Sequence, residues 1–374
     1  MIHHRKLQLA IAVSAMLMSL HACTQDSPVH PTTPPSADTT SHDWVFSMHR
    51  LREGIKSNRV TTITALSPDF VLMSAYDIGP WALLWNGASI ERILLPFKSI
   101  SRDTCRVCSP ALGQYKGGID ALWFFRRDNF WIADHDQTQH TTISAGDRDT
   151  MVYVTGWPHV SGIGASHIWA KDSANVFFAY RDASRVFRWR HTDRSWTTYT
   201  LTYPDMWWSN EVYDIWGTSN ESVFLHTNGG LRRFDGVEWR TIWNREMPSL
   251  CDSAYFGLPM SAWAAADEDS MWIAGLFIGR MRKDGSGRVT YIAKPENKPG
   301  GFAIGCVRGS AKNSVFFVGA GGNLIHYNGA SFRVFDEFLN QGISFTKAVV
   351  FDNEVFIIGG HPFDGGILVH GRRM

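Results

Sequence analysis

Two short segments gather the side chains that hold metals or move protons. Asp134, His135, Asp136 and His140 fall within seven residues of one another, and His361 stands three residues before Asp364. Paired carboxylates and imidazoles can ligate a divalent cation or share acid and base duties. No HExxH or comparable frame accompanies them, so ordinary polar turn content is the simpler reading, and neither a metal nor a cofactor is expected. Walker, GxGxxG and GxSxG frames are missing as well. Gly162-Ile163-Gly164-Ala165 reads as a loop, not as the strand-to-helix turn that cradles phosphate. A third set, His167, Asp214 and Ser261, recurs at intervals of 47 residues and could line a channel, with bridging water as the alternative.

Flat hydrophobic side chains collect in long polar connections: Tyr115, Trp157, His159, Tyr203, Trp207, Trp208, Tyr255 and Phe256. Rings in exposed loops are costly unless they pack or bind something. They form either a platform for glycan, peptidoglycan or protein, or small cores of their own loops. Four cysteines, Cys105, Cys108, Cys251 and Cys306, remain beyond the one near the N-terminus. One CxxC alone is a poor zinc site, and an even count in an exported chain suggests bridges. Three connectivities are open, of which 251–306 and 105–108 are favoured.

The balance of charge limits the partners. Lys and Arg number 36 against 35 Asp and Glu, for a net charge of +1. Nucleic acid needs a concentrated basic face and is not expected as a partner.

What must position these residues is a repeat. Its clearest copy runs Asp214-Ile215-Trp216-Gly217-Thr218-Ser219, Ser222-Val223-Phe224-Leu225, Gly229 to Gly236, then Val237-Glu238-Trp239-Arg240. Each piece is a short β-branched or aromatic run bounded by Gly, Asn or Asp, so about thirty residues make four antiparallel strands. Trp123, Trp169, Trp216 and Trp263 stand 46, 47 and 47 residues apart. The second strand recurs seven times, from Phe70-Val71-Leu72 to Val355-Phe356-Ile357. These runs do not alternate with polar residues, so both faces should be covered. Repeat Trp rings at a fixed position are expected to pack blade against blade.

The Trp-Gly-Thr-Ser…Val-Phe…Phe-Asp-Gly…Trp pattern resembles the WGTS-type β-propeller repeats of bacterial lipoproteins. The resemblance covers residues 43–374 and is sharpest over 212–243. It implies an all-β fold: a seven-bladed β-propeller of four-stranded antiparallel blades. The seventh repeat ends without a fourth strand, while Asp43–Met48 has no blade of its own. Residues 43–48 are therefore expected to close the ring as the outer strand of blade seven, beside 366–370.

Residues 1–22 read as an export signal, with a basic start and a mostly apolar Leu7–Leu20 too short to span a bilayer. Leu20-His21-Ala22-Cys23 resembles a bacterial lipobox, which implies a diacylated Cys23 at the mature N-terminus. Thr24 in place of Asp implies the outer membrane by that resemblance. Residues 23–42, rich in Pro, Ser and Thr, read as a lipidated, disordered tether.

The reading that follows is a lipid-anchored binding or scaffolding module of the cell envelope. Its partner would be an envelope protein or glycan, and the membrane would be met through the anchor alone. The rival is a carbohydrate hydrolase or lyase with its site at the channel mouth on the long-loop face.

Overall fold

The structure is a computed structural model. It describes residues 39–51, 60–75, 81–94, 118–126, 129–135, 141–146, 151–153, 165–172, 174–180, 185–201, 212–227, 230–244, 260–287, 289–293, 303–361 and 365–374, with the strands of 118–153 given as backbone.

A single strand, β1 (Trp44–Arg50), comes first. The first sheet then holds β2 (Val60–Ser67), β3 (Phe70–Ala75), β4 (Trp81–Trp85) and β5 (Ile90–Leu94). The second holds β6 (Gly118–Arg126), β7 (Asn129–His135), β8 (Thr141–Gly146) and β9 (Met151–Tyr153). The third holds β10 (Ala165–Asp172), β11 (Asn175–Tyr180), β12 (Arg185–Arg190) and β13 (Ser195–Thr200). The fourth is β14 (Val212–Ser219), β15 (Ser222–Thr227), β16 (Gly230–Phe234) and β17 (Trp239–Asn244). The fifth is β18 (Ser261–Trp263), β19 (Ser270–Ala274), β20 (Ile278–Arg282) and β21 (Thr290–Ala293). The sixth is β22 (Ile304–Ala311), β23 (Ser314–Gly319), β24 (Leu324–Tyr327) and β25 (Phe332–Val334). The last is built from β26 (Ser344–Val350), β27 (Glu354–His361) and β28 (Gly365–Arg373).

The described strands form seven four-stranded antiparallel sheets, and the last has the order β1-β28-β27-β26. Each first strand touches those of the sheets before and after it, and β2 touches β26 as well as β6, so the inner strands run in a closed cycle. The fold is a β-propeller.

The second strands carry the core. Val223–Thr227 are all buried, and so is the whole of β23. Their apolar runs meet a neighbouring sheet on each face, which is why they lack a polar alternation. On the third strand, a basic or imidazole side chain covers the second-strand ring opposite. Arg188, Arg233 and Arg280 lie 5.5, 5.9 and 4.9 Å from the ring centroids of Phe177, Phe224 and Trp272. His326 and His370 stack on Phe316 and Phe356 at 4.6 and 4.4 Å.

The third-to-fourth strand turns repeat one geometry. Asn86, Asp235 and Asn328 each accept the amides two and three residues on. The following Gly87, Gly236 and Gly329 take φ of 93°, 100° and 98°, a region that favours glycine. A Cβ on Gly87 or Gly236 would meet Asp69 or Glu221, so these turns share a face with the first-to-second strand turns.

Ring closure follows the expected course and runs further. β1 pairs with β28 from Trp44↔Arg373 to Arg50↔Ile367. Buried Trp44 then reaches over the sixth sheet, its ring 4.9 Å from that of Phe316. The tether boundary needs correction, because its last residues are docked. Thr40 N–H donates to the Asn328 carbonyl, Asn328 Nδ2 donates to the Thr40 carbonyl, and Thr40 Oγ1 donates to the Asn313 carbonyl. Backbone and polar side-chain hydrogen bonds, not side-chain hydrophobicity, hold this stretch.

Candidate functional site

Strand register places one residue of each inner strand at the same level. These are Thr62, Ala121, His167, Asp214, Ser261, Cys306 and Lys347, opposite Ser74, Ala133, Ala179, His226, Ala274, Val318 and Ile358. A one-residue register shift precedes six of the seven, all but Ser261. Such a bulge re-aims the side chain that follows it. Two residues further along, the repeat tryptophans Trp169, Trp216 and Trp263 form the next level, where the sixth sheet has Arg308 instead.

A cavity of about 290 Å³ lies among these strands, lined by Thr62, Thr64, His167, Asp214, Arg308 and Lys347 with Cys306 and Trp216. Arg308 Nη2 donates to Asp214 Oδ2, and its Nη1 donates to the Val307 carbonyl at 2.7 Å. Both side chains are largely buried. Burial opposes each charge, yet the pairing prevails: Arg308, with Lys347 behind it, holds the Asp214 carboxyl below its usual range, and Asp214 raises Arg308. Burial, reinforced by Lys347, pushes the His167 imidazole down to about 3, so it is neutral at physiological pH. Burial likewise lowers Lys347 and raises the Cys306 thiol.

Of the three polar positions spaced by 47 residues, His167 and Asp214 line the cavity. Ser261 Oγ instead accepts the Val307 amide at 3.1 Å. Lys347 and Cys306 belong to the same ring and Arg308 to the level beside it, but none of the three is legible from the spacing. From Ser261 to Cys306 is 45 residues and from Cys306 to Lys347 only 41, so the spacing drifts once the loops shorten.

The pairing of Cys251 with Cys306 is corrected. Cys306 is a buried free thiol. It sits in the wall of the central cavity on β22, not on an inter-blade connection, and the register puts it opposite Val318. Cys251 itself, the 105–108 pair, Cys23, and Tyr115, Trp157, His159, Tyr203, Trp207, Trp208, Tyr255 and Phe256 lie outside the described residues. The same holds for Asp136, His140 and Asp364. Among the described residues, no three His, Cys, Asp or Glu side chains are grouped as a metal would require.

No family model and no curated protein matches the sequence. Solved propellers match the fold. One, described as "YCF48 bound to D1 peptide", is 12% identical with a TM-score of 0.60, over 87% of this chain and 96% of that one. The computationally designed Ika8 protein is 15% identical with a TM-score of 0.52, over 83% of each chain. At such identities the likeness is one of fold, and propellers host unrelated functions.

Proposed function

We propose that this chain is a lipid-anchored propeller of the bacterial cell envelope that binds a protein partner on the face carrying its long inter-blade connections. One observation carries the reading. The first-to-second and third-to-fourth strand turns share one face, and in the fourth sheet they are as short as Asn220-Glu221 and Asp235–Glu238. The fourth strands therefore end on the other face, where the connections 95–117, 154–164 and 245–259 begin. Tyr115, Trp157, His159, Tyr255 and Phe256 fall in these three stretches, and Tyr203, Trp207 and Trp208 in the shorter 202–211. Loops on a rigid scaffold are where binding residues concentrate.

A propeller of the same fold has been solved with a peptide, which favours protein over glycan as the partner class. The basic, apolar and Leu-His-Ala-Cys segments at the N-terminus support attachment through Cys23, and Thr24 supports the outer membrane. Two acyl chains hold a protein to a bilayer lastingly where one does not. In the expressing bacterium, a fatty-acid analogue should mark the wild type, and Cys23→Ser should lose the mark and move to the soluble fraction. An unmarked wild type contradicts the anchor. Capture of glycan but not protein by the long-loop face contradicts the partner class.

A further inference from the structure

Among the described residues, the central cavity holds one positive charge more than it balances. Arg308 and Asp214 neutralise each other, and His167 is uncharged. Lys347, on the facing strand, makes no hydrogen bond and no ion pair with the described residues, although it lines the same space. Asp214 favours the Lys347 charge from a distance, but its carboxylate is already paired with Arg308, so the three groups together keep one positive charge in excess. Thr62 and Thr64 bring two hydroxyls from β2, the strand next to that of Lys347, and Trp216 and Val349 bring apolar surface. The volume of about 290 Å³ corresponds to roughly ten water molecules at about 30 Å³ each.

We propose that this cavity is a binding site for a small monocarboxylate, with the Lys347 ammonium as its counter-ion, the Thr62 and Thr64 hydroxyls as donors and the Trp216 side as the seat of its apolar part. One surplus cation matches one negative charge, and the mixed lining matches a carboxylate carrying a short carbon chain. The Asp214–Arg308 pair bounds the site without being displaced. Its carboxylate also disfavours dianions, which would approach a second negative charge in a confined space.

The test uses the whole chain in detergent, with butyrate as the probe and butyramide as its neutral isostere. Calorimetric titration should show saturable binding of butyrate and none of butyramide. Lys347→Met should weaken butyrate binding at least tenfold. Arg333→Met, on an exposed strand, should leave it unchanged. A second readout needs no variant: butyrate should slow acylation of Lys347 by an amine reagent while exposed Lys171 reacts at its usual rate. Equal binding of butyrate and butyramide, unaltered affinity in Lys347→Met, or equal labelling of Lys347 with and without butyrate would overturn the proposal.

Discussion

The Trp169 indole lies against Gly217 of the next sheet so closely that a Cβ on that glycine would sit 2.6 Å from Trp169 Cη2 and 2.9 Å from the Ser222 carbonyl oxygen. The contact recurs two sheets on, where a Cβ on Gly309 would lie 2.6 Å from Trp263 Cη2 and from the Ser314 carbonyl. The Gly of the Trp-Gly-Thr-Ser repeat is thus a receptor for the preceding Trp, which explains why the two residue types recur together.

Gly217→Ala and Gly309→Ala should each destabilise the protein by about 1–3 kcal/mol, the usual cost of forcing a methylene into a packed site. Denaturant midpoints would measure this. Alanine at either site with an unchanged midpoint would mean the rings can shift freely.

Arg308 stands where four other sheets carry Trp, and it holds a buried carboxylate. Arg308→Met should cost about 3–5 kcal/mol by stranding Asp214, whereas the double variant Asp214→Asn with Arg308→Met should recover much of the loss. Equal losses in the single and double variants would show that the pair is not coupled.

Burial lowers five histidines, His42, His49, His167, His326 and His370, and the two shifted furthest make stability depend most on pH. Burial pushes both His167 and His326 down to about 3, from 6.5. His326 Nδ1 shares a hydrogen bond of 2.9 Å with His42 Nδ1, and its buried Nε2 has no partner among the described residues. Because the unfolded chain takes up these protons first, stability should be full above about pH 6.5 and fall as pH drops towards 3. The slope is about 1.4 kcal/mol per pH unit for each histidine. His326→Phe should remove about half of that slope in urea titrations at pH 6 and pH 4.5. A flat profile would place these rings in a wetter setting.

Closure by β1 sets the outcome of truncation. Deleting residues 43–50 should unfold or aggregate the ring, since it bares the β28 edge and removes Trp44 and Phe46 from the sixth sheet. Deleting 25–36, which stops short of the docked Thr40, should leave the melting temperature unchanged. Equal melting of the 43–50 deletion and the full chain would refute closure.

The repeat unit was readable because its strand chemistry is local. A β-branched or aromatic run followed by Asn-Gly or Asp-Gly needs no tertiary information, and the orphan Trp44 strand matched a missing fourth strand. The cavity was only partly readable. His167 and Asp214 keep the regular spacing, but Lys347 and Arg308 are matched to them by hydrogen-bond register across bulges, which spacing alone does not reveal. The place of Cys306 in the inner ring is hidden for the same reason, since only the register opposite Val318 reveals it. The docking of Thr40 is not legible, because its amide and carbonyl pair with Asn328 and its hydroxyl with the distant Asn313 carbonyl, contacts that a Pro, Ser and Thr-rich composition does not signal.

The central claim is that a protein partner meets the long-loop face. Its most direct measurement is photo-crosslinking in the intact envelope, with the crosslinker placed at Trp208, in the connection between β13 and β14, or at Val237, 80% exposed on the tight-turn side. The account predicts a protease-sensitive adduct from position 208 and none from 237. An adduct from 237 alone, or a position-208 adduct that resists protease and yields to glycan-cleaving enzymes, would contradict it.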